Sequence, residues 1–481
     1  GMAMDVRPAL PTTATKTTVP ATPATGLPPA RRALLFSIIA CTLLMMSLDS
    51  TIVATALHAM QQSLDTSINW VGWTLTAYSF GFVLMLPVSG KLAERYGRRR
   101  LFLVSIAVFT GASLLCGLAD NIYLLIGLRA LQAAGGAGFT PSATGIIVDH
   151  FGDARDRAVG LFGSIFPLGA MIGPIFGGLS VTYWNWRGVF FVNVPIGFLV
   201  FLLAFRYVPK DLPSLAGAGR KMGFSGMALL GGALFGLMLA ASYLGEQSAR
   251  LWSPLFLLPL GVALFCSWCF IAGSRRAAEP FIEPRLIWGR DFGSVNLLNL
   301  LFGGVPLGLV ALIPLYATSR YGISALESGT LLVAQGLAAT ATSTLMAFLL
   351  RRTGYQRPIR IGALIVIVGL GLLALRPAAS MSPWLWLASA AFLVGGGFGA
   401  TNPASRNAGL QLAPDHASTL AAMRSMCMQI GTIVAISIAT ALFAASGEQG
   451  AAFAFIYAGA ALLLLLALPL IRLVPEHRGA W

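Results

Sequence analysis

Charge is scarce in this chain. Only 10% of its 481 residues are Asp, Glu, Lys or Arg, whereas 57% are hydrophobic and the mean hydropathy is +0.79. About a quarter of the residues of a soluble domain are charged, so this composition excludes a soluble globular protein. The charges gather in short clusters between apolar runs, which is typical of an integral membrane protein. A net charge of +15 first suggests nucleic-acid binding, but the clustering argues against it, and we expect no nucleic-acid partner.

Motifs of catalysis and of metal binding are missing as well. The chain has four histidines, none at metal-ligand spacing, and it contains no HExxH, no Ser/His/Asp ordering and no GxxxxGK(S/T) phosphate loop. The five cysteines all fall inside apolar runs, where we interpret them as small core residues and not as disulfides. We therefore expect a protein that is not an enzyme, binds no metal, needs no cofactor and draws its energy from an ion gradient.

Long apolar runs are what the sequence does contain. Fourteen of them reach about 20 residues or more, enough for a helix to cross about 30 Å of hydrocarbon. The predicted spans are residues 33–59, 71–93, 101–119, 121–148, 157–182, 188–208, 223–245, 252–274, 292–317, 324–350, 358–376, 383–406, 416–446 and 451–473.

A faint internal repeat divides these spans. The loop at residues 90–100 has a weaker counterpart at 347–357, and each follows an apolar run that heads toward the same side. This pattern indicates two related six-helix halves with two helices inserted between them. We expect a disordered tail (1–32), a six-helix bundle (33–210), two inserted helices (211–280), a second six-helix bundle (281–474) and a C-terminal tail (475–481).

The basic residues predict the orientation. With both termini in the cytoplasm, the cytoplasmic loops and tails hold 26 of the 32 Lys and Arg residues, while the opposite loops hold only Arg187, Arg250, Arg320 and Arg376. The net charge is therefore mostly a signal of topology. Arg greatly outnumbers Lys, which suggests a GC-rich bacterium, so we expect a multi-pass protein of the bacterial inner membrane with both termini cytoplasmic.

Five motifs follow one another along the predicted spans. They are the first-span run 48–58 with Asp49, the loop 90–100, the fourth-span run 129–133 that begins with Arg129, the fifth-span run 169–178, and the junction 186–197.

On these motifs, residues 34–473 resemble the fourteen-helix drug/proton antiporter branch of the major facilitator superfamily. The departures are Glu94 where Asp is usual, Ala54 for Asn, His58 for Pro and Ala133 for Gly. The resemblance implies an all-α integral membrane protein with the major facilitator fold, an antiport role for the fifth-span motif, and a latch between the two halves formed by the loop 90–100.

Asp49 is the one carboxylate that we place deep inside a span. An ionised group there costs at least about 2.5–3.5 kcal/mol, so its presence predicts a function, and we expect proton coupling. The alternative is a structural carboxyl satisfied by a neighbouring helix. Arg129 lies at a similar depth, about 12 Å against about 15 Å, and is the expected partner. We expect protonation of Asp49 to free Arg129 and bias which face is open, although a purely structural ion pair stays possible.

The loop 90–100 has residues suited to a gate. Gly90 permits close helix approach, Glu94 can accept hydrogen bonds from cations or from a facing helix N-terminus, and the arginines can bridge to neighbouring helices. The alternative is a simple positive-inside anchor. In the second copy Arg351 stands where the acid would be, so a latch there must be weaker or differently built. The predicted gating residues are Gly90, Glu94, Arg95, Gly97, Arg98 and Arg99.

Glycines recur every four residues in the fifth span. Gly169, Gly173 and Gly177 share one helical face, where two backbones can approach closely, and Pro174 bends the helix. A plain packing seam would explain the spacing. With the resemblance, we expect the motif Gly169, Gly173, Pro174, Gly177 and Gly178 to support antiport by packing at the interface between the two bundles.

Polar residues on apolar spans are candidates for the substrate lumen, although each could equally be a hydrogen-bonding contact between helices. They are Gln132, Asn296, Asn299, Gln335 and Asn402.

We expect a proton-coupled antiporter that exports amphipathic, cationic small molecules by alternating access. Its expected partners are a small lipophilic substrate, protons and the lipid bilayer, and a periplasmic adaptor is left open. The alternatives are uptake, or export of a lipid or an endogenous metabolite.

Overall fold

The computed structural model describes residues 26–212, 222–246, 249–446, 448–478 and 481. The predicted disorder of residues 1–25 and the basic residues of segment 213–221 lie outside the described residues. Residues 26–32 are part of the fold, because the Leu27 amide donates to the His150 carbonyl and the first helix begins at Pro29, before the predicted residue 33.

Fourteen helices are long and apolar enough to cross a membrane, and no strand occurs in the described ranges, which confirms the predicted all-α class. They are α1 Pro29–Ser63, α2 Trp70–Tyr96, α3 Arg98–Leu118, α4 Ile122–His150, α5 Gly152–Tyr183, α6 Gly188–Tyr207, α7 Phe224–Leu244, α8 Pro254–Arg276, α9 Phe292–Ala311, α10 Glu327–Thr353, α11 Gln356–Ala374, α12 Pro383–Leu410, α13 Pro414–Phe443 and α14 Gly450–Leu473. Short helices Pro284–Trp288 and Ile313–Tyr321 flank α9.

The helix α1 changes its winding just beyond Asp49. Residues Val53–Ala56 form a 3₁₀ turn between two α-helical segments. The hydroxyls of Ser50, Thr51 and Thr55 each donate to the carbonyl three residues earlier. Such back-bonding by Ser and Thr bends helices, which explains the irregular turn at this depth.

The helix α9 contains a π-helical turn at Asn299–Gly304. This turn touches α13 closely: a Cβ on Gly304 would lie 2.5 Å from the Met428 carbonyl oxygen, and the Thr432 hydroxyl donates to the Gly304 carbonyl over 2.9 Å. Neither the 3₁₀ turn nor the π turn is visible in the apolar pattern.

The helices form two six-helix bundles, α1–α6 and α9–α14, which we call the N-terminal and C-terminal halves. The halves meet where α2 and α4 pack on α13 and where α5 packs on α10 and α12. The inserted α7 packs on α2 and on α13, one helix from each half, and α8 packs on α7. This arrangement confirms the predicted fold of two bundles with two inserted helices.

Both described termini and most of the arginine-rich loops lie on one side of the molecule. We call this side the basic face and define it by the loops at residues 97, 151, 208–212, 277–291, 354–355 and 411–413.

Candidate functional site

Asp49 and Arg129 form an ion pair inside the N-terminal half. Their side chains are 0% and 1% exposed, and Arg129 Nη1 lies 2.9 Å from Asp49 Oδ2. The other carboxylate oxygen, Oδ1, accepts from Asn193 Nδ2 over 3.0 Å. The sequence paired Asp49 with Arg129 because the two residues lie at similar depths in their helices. The structure brings them together and adds a third residue, Asn193 of α6.

Arg129 has further contacts that do not involve Asp49. Its Nη1 donates to Gln132 Oε1 over 2.7 Å, and its Nε donates to the Thr74 carbonyl over 3.3 Å. The guanidinium also lies 4.2 Å from the centre of the Tyr78 ring, a cation–π contact. Arg129 is thus held by α2 and by its own helix as well as by the carboxylate.

Sequence reasoning missed Asn193, Tyr78 and Ser113 at this site. Asn193 Nδ2 donates to Ser113 Oγ over 3.1 Å as well as to Asp49. The position of Asn193 within the junction motif was a signal that could have found it. Buried polar atoms with no protein partner surround the pair, namely Tyr78 Oη, Gln132 Nε2 and Asn193 Oδ1. Native proteins rarely leave such atoms unsatisfied except at functional sites, so this environment can take up a proton or water.

The glycine face of α5 packs on α1 beside this ion pair. A Cβ on Gly169 would lie 2.6 Å from Ser47 Cβ. A Cβ on Gly173 would lie 2.0 Å from Thr51 Oγ1 and 2.8 Å from the Leu48 carbonyl oxygen. A Cβ on Gly177 would lie 2.0 Å from Thr55 Oγ1, whereas a Cβ on Gly178 would meet nothing within 4 Å.

The helix α5 lies at the interface between the two bundles, as expected, but its glycine face packs on α1 and not on the other bundle. A spacing of four residues determines which glycines share a helical face, but not which helix packs on that face. Here the helix that packs on it is α1 of the same half. Other glycines of α5 face the C-terminal half: a Cβ on Gly163 would lie 2.3 Å from Asn402 Oδ1, and one on Gly160 would lie 2.9 Å from Pro403 Cβ.

The end of α2 docks on the start of α13 at the basic face. Glu94 is 4% exposed; its Oε1 accepts from the Thr419 amide over 3.1 Å, and its Oε2 accepts from Arg98 Nη2 over 3.1 Å. A Cβ on Gly90 would lie 2.9 Å from Ala422 Cβ, so only glycine allows this approach. The carboxylate thus binds the N-terminal turn of a helix from the other half.

The arginines of the loop 90–100 make different contacts. Arg98 pairs with Asp149 over 2.6 Å and donates to the Asp415 carbonyl over 3.0 Å, so it reaches the other half. Arg99 donates to the carbonyls of Val208 and Phe205, at the end of α6 in its own half.

Gly97 has φ +113°, a conformation that favours glycine, and a Cβ there would lie 2.1 Å from Asp211 Oδ2. Asp211 in turn accepts from the Arg99 amide over 2.6 Å. Arg95 lies with its guanidinium 5.3 Å from the Tyr96 ring centre. The sequence interpretation included neither Asp211 nor Asp149.

Replacing Glu94 by Gln is expected to weaken the contact between the end of α2 and the start of α13. The amide accepts more weakly than the carboxylate, and charge-assisted hydrogen bonds contribute about 1.5–3 kcal/mol. Ser418, which is fully buried beside Arg98, serves as a reporter. In a variant whose native cysteines are replaced, Ser418→Cys is expected to react several-fold faster with a polar maleimide when Glu94 is Gln. Glu327→Gln, at the exposed start of α10, is the control, and equal rates in both variants would contradict the prediction.

The second copy of the loop has a cross-half contact of opposite polarity. Arg351 of α10 pairs with Asp156 of α5 over 3.1 Å and also donates to the Asp153 carbonyl. Here the C-terminal half supplies the cation and the N-terminal half supplies the acid, the reverse of the Glu94 contact. The sequence predicted that a latch at the second copy must be weaker or differently built, and a latch role for this contact stays a prediction. Sequence reasoning had not included Asp156.

Neighbouring groups extend the contact at Asp156. Asn407 Nδ2 donates to the Asp156 carbonyl over 2.9 Å, and Trp481 Nε1 donates to Asn407 Oδ1 over 3.1 Å. The Arg155 guanidinium lies 4.1 Å from the centre of the Trp481 ring. Together with Glu94 and Arg98, these contacts join the two halves at the basic face.

A charge exchange tests the Asp156–Arg351 pair. Arg351→Asp alone is expected to lower the melting temperature in detergent because two carboxylates then face each other, and adding Asp156→Arg is expected to recover part of the loss. Because the Arg351 side chain is about half exposed, we expect a coupling free energy of only about 0.5–1 kcal/mol. Arg352→Asp, on an exposed neighbour, is the control for net charge. Strictly additive effects of the two substitutions would contradict a direct pair.

Two of the five lumen candidates, Asn296 and Asn299, line one cavity between the halves, and the other three lie elsewhere. Gln132 belongs to the Arg129 site, and Asn296 donates to the carbonyls of Leu286 and Ile287, which fixes the short helix before α9. Asn402 accepts from Arg406. Gln335 lies at the close contact of α10 with α12, and Asn299 is buried at the start of the π turn.

The family is decided by comparison with known proteins. A family model described as "Major Facilitator Superfamily" matches residues 39–219 and 214–436. The chain belongs to the major facilitator superfamily. It is similar to multidrug resistance protein 3 of Bacillus subtilis (strain 168), with 30% identity over 85% of this chain and 81% of that protein. It is also similar to the puromycin resistance protein pur8 of Streptomyces alboniger, with 31% identity over 82% and 78% of the two chains.

Solved structures of this superfamily share its fold. The human organic anion transporter MFSD10 superposes with a TM-score of 0.64 at 16% identity, covering 92% of this chain and all of that one. The proton:xylose symporter XylE superposes with a TM-score of 0.63 at 12% identity, covering 94% and 97%. At these sequence identities the similarity shows only that this multi-pass membrane protein shares their fold.

Proposed function

We propose that this superfamily member exports amphipathic drug-like molecules in exchange for protons, by alternating access. Export is supported by the relatives, which include proteins named for resistance to several drugs, to puromycin and to methylenomycin A. The observation that carries the proton coupling is the fully buried Asp49–Arg129 pair, because buried ionisable groups in membrane helices are costly and mark proton relays.

Protonation of Asp49 would remove the charge that faces Arg129. Arg129 keeps its hydrogen bonds to Gln132 and to the Thr74 carbonyl, so it stays in place while its contact to α1 weakens. The carboxyl therefore acts as a switch on the position of α1 relative to α4.

Contacts between helices connect this switch to the interface of the two halves. The helix α1 packs against the glycine face of α5, and the opposite side of α5 contacts α10. There Thr344 Oγ1 lies 2.8 Å from Ser164 Oγ, and a Cβ on Gly336 would lie 2.9 Å from Met171. A shift of α1 therefore acts on α5, which packs on α10 and α12 of the other half, and alternating access requires such a connection between the halves.

The orientation and the gate complete the proposal. We place the basic face in the cytoplasm, with both termini there and the protein in a bacterial inner membrane, following the distribution of Lys and Arg. The loop 90–100 and the Arg351–Asp156 pair then close the cytoplasmic side in this conformation. These contacts must break before a substrate enters from the cytoplasm, and they re-form when it leaves on the other side.

Flux in proteoliposomes tests the function. The purified chain is reconstituted with the cationic dye rhodamine 123 or with the anionic dye fluorescein, and a pH gradient of either direction is imposed. Gradient-dependent dye movement against its own concentration, with opposite proton movement, is the expected result. Dye movement along with protons would indicate uptake by symport, and an absence of gradient-dependent movement would overturn the proposal. A panel of antibiotics, puromycin included, in an efflux-deficient host then separates drug export from export of a lipid or metabolite.

A further inference from the structure

Two arginines inside the C-terminal half pair with no acid of the part of the chain that the structure describes. Arg424 on α13 is 8% exposed, and Arg406 on α12 is partly buried. Among the described residues, neither has a carboxylate oxygen within 4 Å. Acids near the same interface are already engaged, Glu94 with Arg98 and Asp156 with Arg351.

Neutral groups satisfy these two arginines only in part. Arg424 Nη2 donates to Ser405 Oγ over 3.2 Å, and its Nε is buried without a partner. Arg406 Nε donates to Asn402 Oδ1 over 2.7 Å. A guanidinium has five N–H donors and no acceptor, so this place has many more donors than acceptors. Burial of such cations beside neutral groups alone is costly, so these surroundings favour an anionic ligand.

Both arginines line one cavity between the two halves. The cavity has a volume of about 30 Å³, and it is bounded by Thr144 and Val159 of the N-terminal half and by Asn299 of the C-terminal half. That volume holds about two water molecules or a small ion. Arg424 lies about 15 Å along α13 from its start at the basic face, so separation of the halves there would open the cavity.

Aromatic rings lie beside the two charges. The Arg406 guanidinium lies 5.8 Å and 5.4 Å from the ring centres of Phe162 and Phe166, both on α5 of the other half. Phe292 of α9 lines the cavity as well. An amphipathic anion could therefore place its charge on the arginines and its apolar body against these rings.

The distribution of acids in the sequence gives the sign of the ligand. The spans of the C-terminal half contain no Asp or Glu except Glu327 and Asp415, which stand at the very start of α10 and α13. In the N-terminal half Asp49 is bound by Arg129. A cationic substrate therefore finds no free carboxylate in these interiors, whereas an anion finds two arginines.

We propose that Arg406 and Arg424 form an anion subsite for amphipathic substrates that bear a carboxylate, sulfonate or phenolate and enter from the basic face. The proposal rests on the export function given above, and it reverses the substrate charge that the sequence led us to expect. The contracted cavity is the subsite after closure of the halves, and the ligand-accepting form is the one open at the basic face.

Two xanthene dyes of opposite charge test this assignment. Fluorescein is anionic and rhodamine 123 is cationic, and binding of each to the detergent-solubilised full chain is measured by fluorescence polarisation. Arg406→Gln and Arg424→Gln are each expected to weaken fluorescein binding about tenfold or more, with rhodamine 123 changed less than about twofold. The Lys variants are expected to recover part of the fluorescein affinity. Arg357→Gln, an exposed arginine on the basic face, is the matched control.

Other outcomes separate the subsite from the export function. If the two Gln variants leave fluorescein binding unchanged, weaken both dyes equally, or if the wild-type chain does not bind fluorescein, the subsite is overturned. If fluorescein binding depends on both arginines while neither dye moves in a pH gradient, the export function fails and the subsite stands. Melting temperatures identify a misfolded variant, and the partly exposed Arg406 keeps the test available if Arg424→Gln does not fold.

Discussion

Substitution of Asp49 by Asn is expected to abolish export driven by a pH gradient. Asn has nearly the volume of Asp, but it cannot bind and release a proton, so the step that couples proton movement to α1 is lost. We expect gradient-driven flux to fall to the level of protein-free liposomes. Exchange of labelled for unlabelled substrate without a gradient is expected to continue, because exchange requires no net proton movement.

The variant should remain folded, which makes the result interpretable. Arg129 retains Gln132, the Thr74 carbonyl and the Tyr78 ring when the carboxylate is neutralised, so the cation is not left alone. Removing the cation instead is expected to be more damaging, because Arg129→Met leaves Asp49 buried and unpaired at a cost of about 3–5 kcal/mol.

Asp65→Asn is the control for loss of a carboxylate. Asp65 is exposed in the loop between α1 and α2, and its φ of +50° suits Asn equally well. Its flux is expected to equal that of the wild type. If Asp49→Asn transported as well as Asp65→Asn in the same gradient, the pair would be structural and the coupling residue would lie elsewhere.

The fold was predictable because a membrane imposes one length and one polarity on each helix. Fourteen apolar runs gave fourteen helices, and equal depth along two of them paired Asp49 with Arg129. Depth is a property of a single helix, so the sequence is enough to determine it. Which helix lies beside which is a property of the packing, and here the predictions were incomplete.

Arg406 illustrates the limit at a helix end. We counted it among loop residues because the predicted span ended at 406, yet α12 continues to Leu410 and the side chain faces the interface. An end shifted by one turn moves a residue from water to the interior. For the same reason the sequence placed only Arg424 inside a span of the C-terminal half, whereas in the structure Arg406 and Arg424 line one cavity.

The glycine motif was also predictable in one respect and not in another. Its period of four predicted a close approach of two helices, and the Cβ distances show such an approach on the face of Gly169, Gly173 and Gly177. The partner was not predictable from spacing, because a small-residue face fits any helix that lies against it. With α1 as the partner, the motif lies next to Asp49, a location that favours a role in coupling over a role at the bundle interface.

Gly173→Leu is therefore expected to abolish export, and it is the largest steric change we predict. Its Cβ would lie 2.8 Å from the Leu48 carbonyl oxygen, which belongs to the backbone just before Asp49 and cannot rotate away. The helices α1 and α5 must separate to admit the side chain, which moves Asp49 relative to Arg129. Overpacking of this kind costs about 1–3 kcal/mol, so we expect a lower melting temperature as well as loss of gradient-driven flux, with membrane insertion retained.

Gly178→Leu is the matched control, since it adds the same side chain one residue after Gly177, the last glycine of the face that packs on α1. A Cβ there meets nothing within 4 Å, so flux and melting temperature are expected to stay near the wild-type values. A smaller substitution, Gly173→Ala, allows a second test. In that variant, adding Thr51→Ala is expected to restore part of the lost activity, because it removes the hydroxyl oxygen that lies 2.0 Å from the position of the new Cβ. The Leu48 carbonyl remains, so the rescue is incomplete. Equal flux in Gly173→Leu and Gly178→Leu would show that contact between α1 and α5 plays no part in coupling, and the glycine face would then be only a packing seam.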